Sequence, residues 1–218
     1  MNLKAVIFDM DGLLIDSEPL WQIAGKETLL EFGKELTTEQ YHSSTGLRTE
    51  EWIEHWFHHF NIDMAHAPAA VETIIKKAIE LIDAQGEPME GVEHAINSCR
   101  EQNLLLGLAT SSPLSLVKVV MEKLNLQNSF DAITSAEFLP LGKPHPQVYI
   151  DCADALQVSP VTCLAFEDSF NGMIAAKAAR MKCVVIPSAA DSHHIKWNAA
   201  DTKLNSLTEI SKDLFTRL

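Results

Sequence analysis

Basic residues are scarce in this chain: 17 lysines and arginines stand against 30 aspartates and glutamates, giving a formal net charge of -13. That balance argues against nucleic acid or an anionic membrane as the main partner. A small phosphorylated substrate remains compatible with it, because local basic groups and backbone amides still form anion sites. Cysteine is sparse as well. The four thiols (Cys99, Cys152, Cys163 and Cys183) show no CxxC spacing and read as scattered buried thiols in a reducing cytosol. No apolar run approaches the roughly 20 residues that span a bilayer. Lys4 and a short apolar strand precede Asp9, a pattern unlike a secretion signal, so a cytoplasmic location is expected. Internal repeats and low-complexity tracts are absent. What is present is ordinary globular material, 46% hydrophobic and 22% charged over 218 residues. That length holds one large domain, or a domain with a smaller one inserted.

Within that composition the most informative stretch is Ala5-Val-Ile-Phe-Asp-Met-Asp-Gly-Leu-Leu-Ile-Asp16. A short apolar run ends in two carboxylates, Asp9 and Asp11, one residue apart and followed by a glycine. Residues i and i+2 of an extended strand share a side, so both acids can reach one cleft. One can attack phosphorus while the other moves protons, and the pair invites a divalent cation.

After Asp16 the texture changes. Glu18 to Phe32, Thr38 to Ser43, Thr49 to Phe60 and Ala67 to Ala84 read as helices, and Trp52, Ile53, Trp56, Phe57 and Phe60 fall at helical spacing. From Pro88 onward strands alternate with helices. Strands are expected at 104–109, 132–134, 163–166 and 182–186, with helices at 92–102, 113–124, 146–156, 171–179 and, closing the chain, 207–218. Such alternation implies a parallel sheet covered on both faces. The expected architecture is a doubly wound α/β core (1–16 and 87–218) carrying an inserted helical cap (17–86).

In such a sheet, ligands bind beyond the carboxyl ends of the strands. Four polar clusters fall there: Asp9-Met10-Asp11-Gly12, Thr110-Ser111-Ser112, Gly142-Lys143-Pro144-His145-Pro146 and Glu167-Asp168-Ser169-Phe170-Asn171-Gly172. Together they hold a nucleophile with a proton carrier, hydroxyls with amides, a cation, and a second acidic pair. His55 and His59 have the i,i+4 spacing of a zinc pair but no third ligand, and read as a solvated helix face.

With DMDG at 9–12, LATSS at 108–112, GKPHPQVY at 142–149 and EDSFNG at 167–172 in order, the chain resembles the haloacid dehalogenase-like phosphohydrolase superfamily over essentially its whole length. The insert looks like that family's helical type-1 cap. DGLLIDSEPLW and GKPHPQVY are similar to the branch of small sugar-phosphate phosphatases, the 2-deoxyglucose-6-phosphate and hexitol-phosphate phosphatases, which shares its scaffold with the β-phosphoglucomutases. The resemblance implies Asp9 as a nucleophile forming an aspartyl-phosphate and Asp11 as the acid and then the base. It implies Thr110 and Lys143 as catalytic groups on the phosphoryl, with Met10, Ser111 and Ser112 contacting substrate. For Mg2+ it implies Asp9, the Asp11 main-chain carbonyl and Asp168, with Glu167 as a further ligand or one shell out. In the insert, Arg48 and Trp21 are the candidates for substrate contact.

The function this implies is Mg2+-dependent hydrolysis of hexose or hexitol 6-phosphates by a monomer. The nearest alternative is a sugar-phosphate mutase. It is weakened because family mutases commonly hold His where Trp21 stands, and Thr49 occupies the position of their distal-phosphate arginine. A signalling module phosphorylated on aspartate without turnover is further off, since receiver-like modules lack a large helical cap.

Overall fold

Strand β1 (Ala5–Phe8) is buried along its whole length, and its alternation sorts the interior into two layers. Val6 and Phe8 join one apolar cluster with Leu106, Leu108, Leu164 and Phe166. Ala5 and Ile7 join the other with Ala109, Cys163, Ala165 and Tyr149. A strand can be apolar at successive positions only when both faces of its sheet are covered, as the sequence pattern predicts. The computed structural model describes residues 3–218; residues 1 and 2, counted with the core in the expected division, lie outside the described residues.

The sheet has six strands in the order β3-β2-β1-β4-β5-β6, with β2 at Leu105–Thr110, β3 at Ala132–Ser135, β4 at Cys163–Glu167, β5 at Lys182–Val185 and β6 at Thr202–Lys203. Every pairing is parallel. The chain leaves β1 toward β2 and β3, then returns to the other side of β1 for β4, so the strand order reverses at the centre, where ligand crevices form. Register carries the chemistry to one level: Phe8 pairs with Leu108 on one side and Phe166 on the other. The Phe8 and Phe166 rings stack at 5.2 Å, and the Asp9 N–H donates to the Phe166 carbonyl at 3.0 Å.

Between β1 and β2 run α1 (Glu18–Leu30), α2 (Thr38–Ser43), α3 (Thr49–Phe60) and α4 (Ala67–Gln85). Ile53, Trp56 and Phe57 of α3 and Ile74, Ala78 and Ile82 of α4 bury their apolar stripes in the cluster shared with one sheet face. Helices α5 (Val92–Glu101) and α6 (Leu114–Lys123) lie with that cluster, while α7 (Gln147–Ala155) and α8 (Phe170–Ala178) pack with the other. No helix among the described residues is long and apolar enough to cross a membrane.

Two details differ from the sequence reading. The tail is not one helix: a 3-10 turn at Leu207–Glu209 precedes α9 (Lys212–Arg217). The interruption falls where Ser211 takes an extended backbone. Strand β6, only two residues long, is too short to show alternation. It is anchored by Asp201, which accepts from the Cys183 N–H at 2.8 Å, Lys177 Nζ at 2.6 Å and Lys182 Nζ at 3.1 Å.

Candidate active site

The carboxyl-terminal ends of β1, β2 and β4 and the segment before α7 converge at the switch point. Lys143 enters from that segment almost completely buried, at 1% exposure, a state a lysine reaches only when paired. Its Nζ donates to Asp9 Oδ1 at 2.6 Å and to Glu167 Oε1 at 2.7 Å. Burial by itself would lower the lysine pKa, but the two carboxylates reverse that and hold it above its ordinary value. It remains a cation.

Glu167 is saturated with donors. Besides Lys143 it accepts from Tyr149 Oη at 2.7 Å, Ser169 N at 3.2 Å and Ser169 Oγ at 3.1 Å. Such a carboxylate is committed to holding the lysine. Asp9 is different: burial, opposed by Lys143 and assisted by the Glu167 charge, raises its pKa to about 7. Asp168 is lifted well above the carboxylate range by burial, with Glu167, Asp9 and Glu18 adding negative charge. Its Oδ1 is buried without any hydrogen-bond partner. Gly12, at φ +73°, permits this approach, since a Cβ there would sit 2.2 Å from Asp168 Oδ2.

One oxygen each from Asp9, Glu167 and Asp168 lies within 4.8 Å of the others. Buried acids in excess of the single lysine, together with an orphaned carboxylate oxygen, suit a hard divalent cation with oxygen ligands. The Asp11 carboxylate stands outside this cluster. It accepts from Ser17 Oγ at 2.7 Å and Trp21 Nε1 at 2.8 Å on Oδ1, and from Ser112 Oγ at 2.7 Å on Oδ2. Thr110 is buried, and its Oγ1 accepts the Ser112 N–H at 3.0 Å, leaving its own proton free to donate.

A cavity partly open to solvent lies above these groups. Asp9, Asp11, Thr110, Ser111, Ser112, Lys143, Asp168 and Trp21 all line it. Met10 does not: its side chain is fully buried in the apolar interior, because it points to the opposite side of the strand end from the acids. Arg48 is also elsewhere. Its Nη1 donates to the carbonyls of Ala136, at 3.1 Å, and Leu139, and its Nη2 pairs with Glu51 at 3.3 Å. Glu51 in turn accepts the Gly142 N–H at 2.8 Å, so these two insert residues clasp the loop that ends in Lys143. Two further contacts fasten the same edge, Ser111 Oγ to the Gly46 carbonyl and Asn171 Nδ2 to the Thr45 carbonyl, each at 2.9 Å. Gly46 lies so close that a Cβ would fall 2.5 Å from Ser169 Oγ.

The model of the haloacid dehalogenase-like hydrolases matches residues 6–186, from the first strand to the end of the fifth. The chain belongs to the haloacid dehalogenase-like hydrolase family. Among its relatives, hexitol phosphatase B of Escherichia coli is 45% identical over 215 residues, covering 98% of this chain and 97% of that protein. CbbY from Rhodobacter sphaeroides, solved in complex with phosphate, superposes with a TM-score of 0.86 at 26% identity, covering 99% of this chain and all of that one. A β-phosphoglucomutase from Clostridium difficile shares the fold, with a TM-score of 0.87 at 21% identity over 99% of this chain and 96% of its own. This haloacid dehalogenase-like hydrolase is an enzyme of the phosphoric monoester hydrolase class.

Residues that sequence reading passed over also line or support the site of this hydrolase. Glu18, Tyr41, Thr45 and Trp52 face the cavity, and Tyr149 braces Glu167. Burial, then the charges of Asp11 and Asp9, raise Glu18 to about 8. An acid in a helix's first turn is a generic feature, so Glu18 carries no signal of its own. Tyr149 falls within GKPHPQVY, six residues after Lys143, and that fixed offset was the available clue.

Proposed function

We propose that the chain is a Mg2+-dependent phosphatase of hexose or hexitol 6-phosphates, acting as a cytoplasmic monomer through an aspartyl-phosphate on Asp9. The observation that carries this reading is Lys143 Nζ held between Asp9 and Glu167, directly beneath a cavity that Asp11 also lines. A buried cation at that place stabilises charge on phosphoryl oxygens and opposes the burial that raises Asp9, favouring the carboxylate that attacks. Asp9 and Asp168 would hold Mg2+, which when bound supplies further positive charge against the phosphoryl group. The resemblance to hexitol phosphatase B supports the six-carbon substrate.

The reaction divides in two. Asp9 forms a bond to phosphorus as the ester P–O bond breaks, and the leaving oxygen takes the proton of Asp11. Water then attacks phosphorus, Asp11 takes its proton, and the Asp9 carboxylate departs from inorganic phosphate. Ser17 and Ser112 suit both states of Asp11, because a hydroxyl can donate to the carboxylate or accept from the acid. Trp21 can only donate, so it favours the ionised form and the proton's departure. Thr110 would donate to the phosphoryl, with Ser111 beside it. Helices 17–86 would form the cap and supply the walls of the substrate pocket.

The commitment of Arg48 to the Ala136–Gly142 loop favours hydrolysis over mutase chemistry, which must hold a second phosphate. Acid quench during turnover followed by borohydride reduction tests the mechanism: an acyl phosphate on Asp9 should be trapped as homoserine at that position, whereas direct attack of water on the ester leaves Asp9 unmodified. Asp9→Asn should abolish turnover; a variant retaining it removes Asp9 as nucleophile.

A further inference from the structure

The charges lining the cavity are lopsided. Among the described residues Lys143 is the only cation on its wall, whereas Asp9, Asp11, Glu18 and Asp168 all contribute carboxyl groups. Lys143 is already paired twice and sits at the phosphoryl end. Arg48 is the nearest candidate for a second anion-binding group, and its guanidinium is spent on core carbonyls and Glu51. Away from Lys143 the wall is uncharged and mixed in character. Trp52 and Ile74 give apolar surface, Tyr41 brings a phenol kept protonated by burial and by Glu18, and Thr45 offers a hydroxyl. The Thr45 Oγ1 is buried without a well-formed hydrogen bond and stands close enough to the Glu18 carboxyl to oppose its raised pKa, so a ligand hydroxyl can bond to both.

We propose that this cavity accepts phosphate monoesters whose remainder is an uncharged polyhydroxyl chain and rejects esters carrying a second phosphate or a carboxylate. The proposal rests on the phosphatase reading and adds to it the exclusion, by charge, of esters with a second anionic group. A hydroxyl tail can satisfy Thr45 and Glu18 and lay its C–H face on the aromatic wall. A second anion would be desolvated beside the Glu18 carboxyl on a wall that offers it no cation.

The test compares kcat/KM of the full chain with Mg2+ for a hexitol 6-phosphate, a hexose 1,6-bisphosphate and phosphoglycolate. The two doubly anionic esters should be at least ~10-fold poorer, and the gap should shrink as ionic strength rises. Thr49→Lys and Leu47→Lys each add a cation to the wall, and either should raise the bisphosphate-to-monophosphate ratio ~5-fold or more. A wild-type ratio near one overturns the proposal while leaving the phosphatase reading intact. A gap that is indifferent to both salt and the added lysines also overturns it. No hydrolysis of any of the three esters would instead defeat the phosphatase reading itself.

Discussion

The strand ends and the helical insert build their halves of the site by different physics. At the strand ends, charged side chains meet charged side chains in full burial: Lys143 with Asp9 and Glu167 at 2.6 and 2.7 Å, braced by Tyr149. Each member depends on the others, because a lone buried charge is costly. The insert instead touches the core through main-chain carbonyls at Thr45 and Gly46, a loop clasp by Arg48 and Glu51, and neutral donors from Ser17 and Trp21 to Asp11. What it shows the substrate is aromatic and hydroxylic. The core half is therefore a buried charge cluster, while the insert half is a largely uncharged wall of aromatic and hydroxyl groups.

Removing the central cation should break the comparison most severely. Lys143→Met strands two buried carboxylates, so turnover should fall ~10³-fold and unfolding free energy should drop by ~3–5 kcal/mol. Steady-state kinetics and denaturant melts measure the two. Loss of activity with unchanged stability would mean the triad is not held together as described.

Trp21→Phe sharpens the comparison, since it keeps an aromatic face while removing the indole N–H that the insert sends to Asp11. We expect kcat to fall ~10-fold, more for an alkyl than for an aryl phosphate, because only the alkyl leaving group depends on protonation. An effect on KM alone would leave Trp21 as wall and nothing more.

For Arg48→Ala the clasp predicts a ~3–5-fold loss of kcat/KM shared equally by sugar and aryl phosphates, with faster proteolysis of the 136–142 loop. A loss restricted to the KM of sugar phosphates would make Arg48 the substrate ligand the sequence suggested.

The smallest effect concerns Glu18, whose pKa is raised to about 8 by burial and by Asp11 and Asp9. An acid with a folded pKa above its unfolded value binds more protons when folded, so its contribution is full below about 4.5 and declines as pH rises toward about 8. Glu18→Gln removes that decline. Its Tm in EDTA should exceed wild type by ~5 °C at pH 8 and match it at pH 5; a gain that does not grow with pH contradicts the raised pKa.

How legible each half was follows from the same contrast. Asp9, Asp11, Thr110, Lys143 and Asp168 could be read because strand ends in a parallel sheet must converge, and short polar clusters after apolar runs mark those ends. Arg48 was not decidable from sequence, because a loop arginine before a helix looks the same whether it meets a ligand or the backbone carbonyls it bonds in this structure. Gly46 and Thr45 left no trace, since a carbonyl contact places no demand on side-chain type. The two-residue β6 escaped for want of length, and the split tail because Ser211 and its neighbours carry no strong breaker such as proline.

Alternating apolar runs and helices, read alone, determined the doubly wound sheet and the identity of its strand-end acids, because burial on both faces leaves few other solutions. Only the folded chain decided how those acids are shared: which one Lys143 neutralises, which one Trp21 and the serines hold apart, and where the Arg48 charge is spent. Hydrogen bonding at 2.6 to 2.9 Å selects among partners that lie tens of residues apart in sequence, and spacing along the chain does not encode those distances.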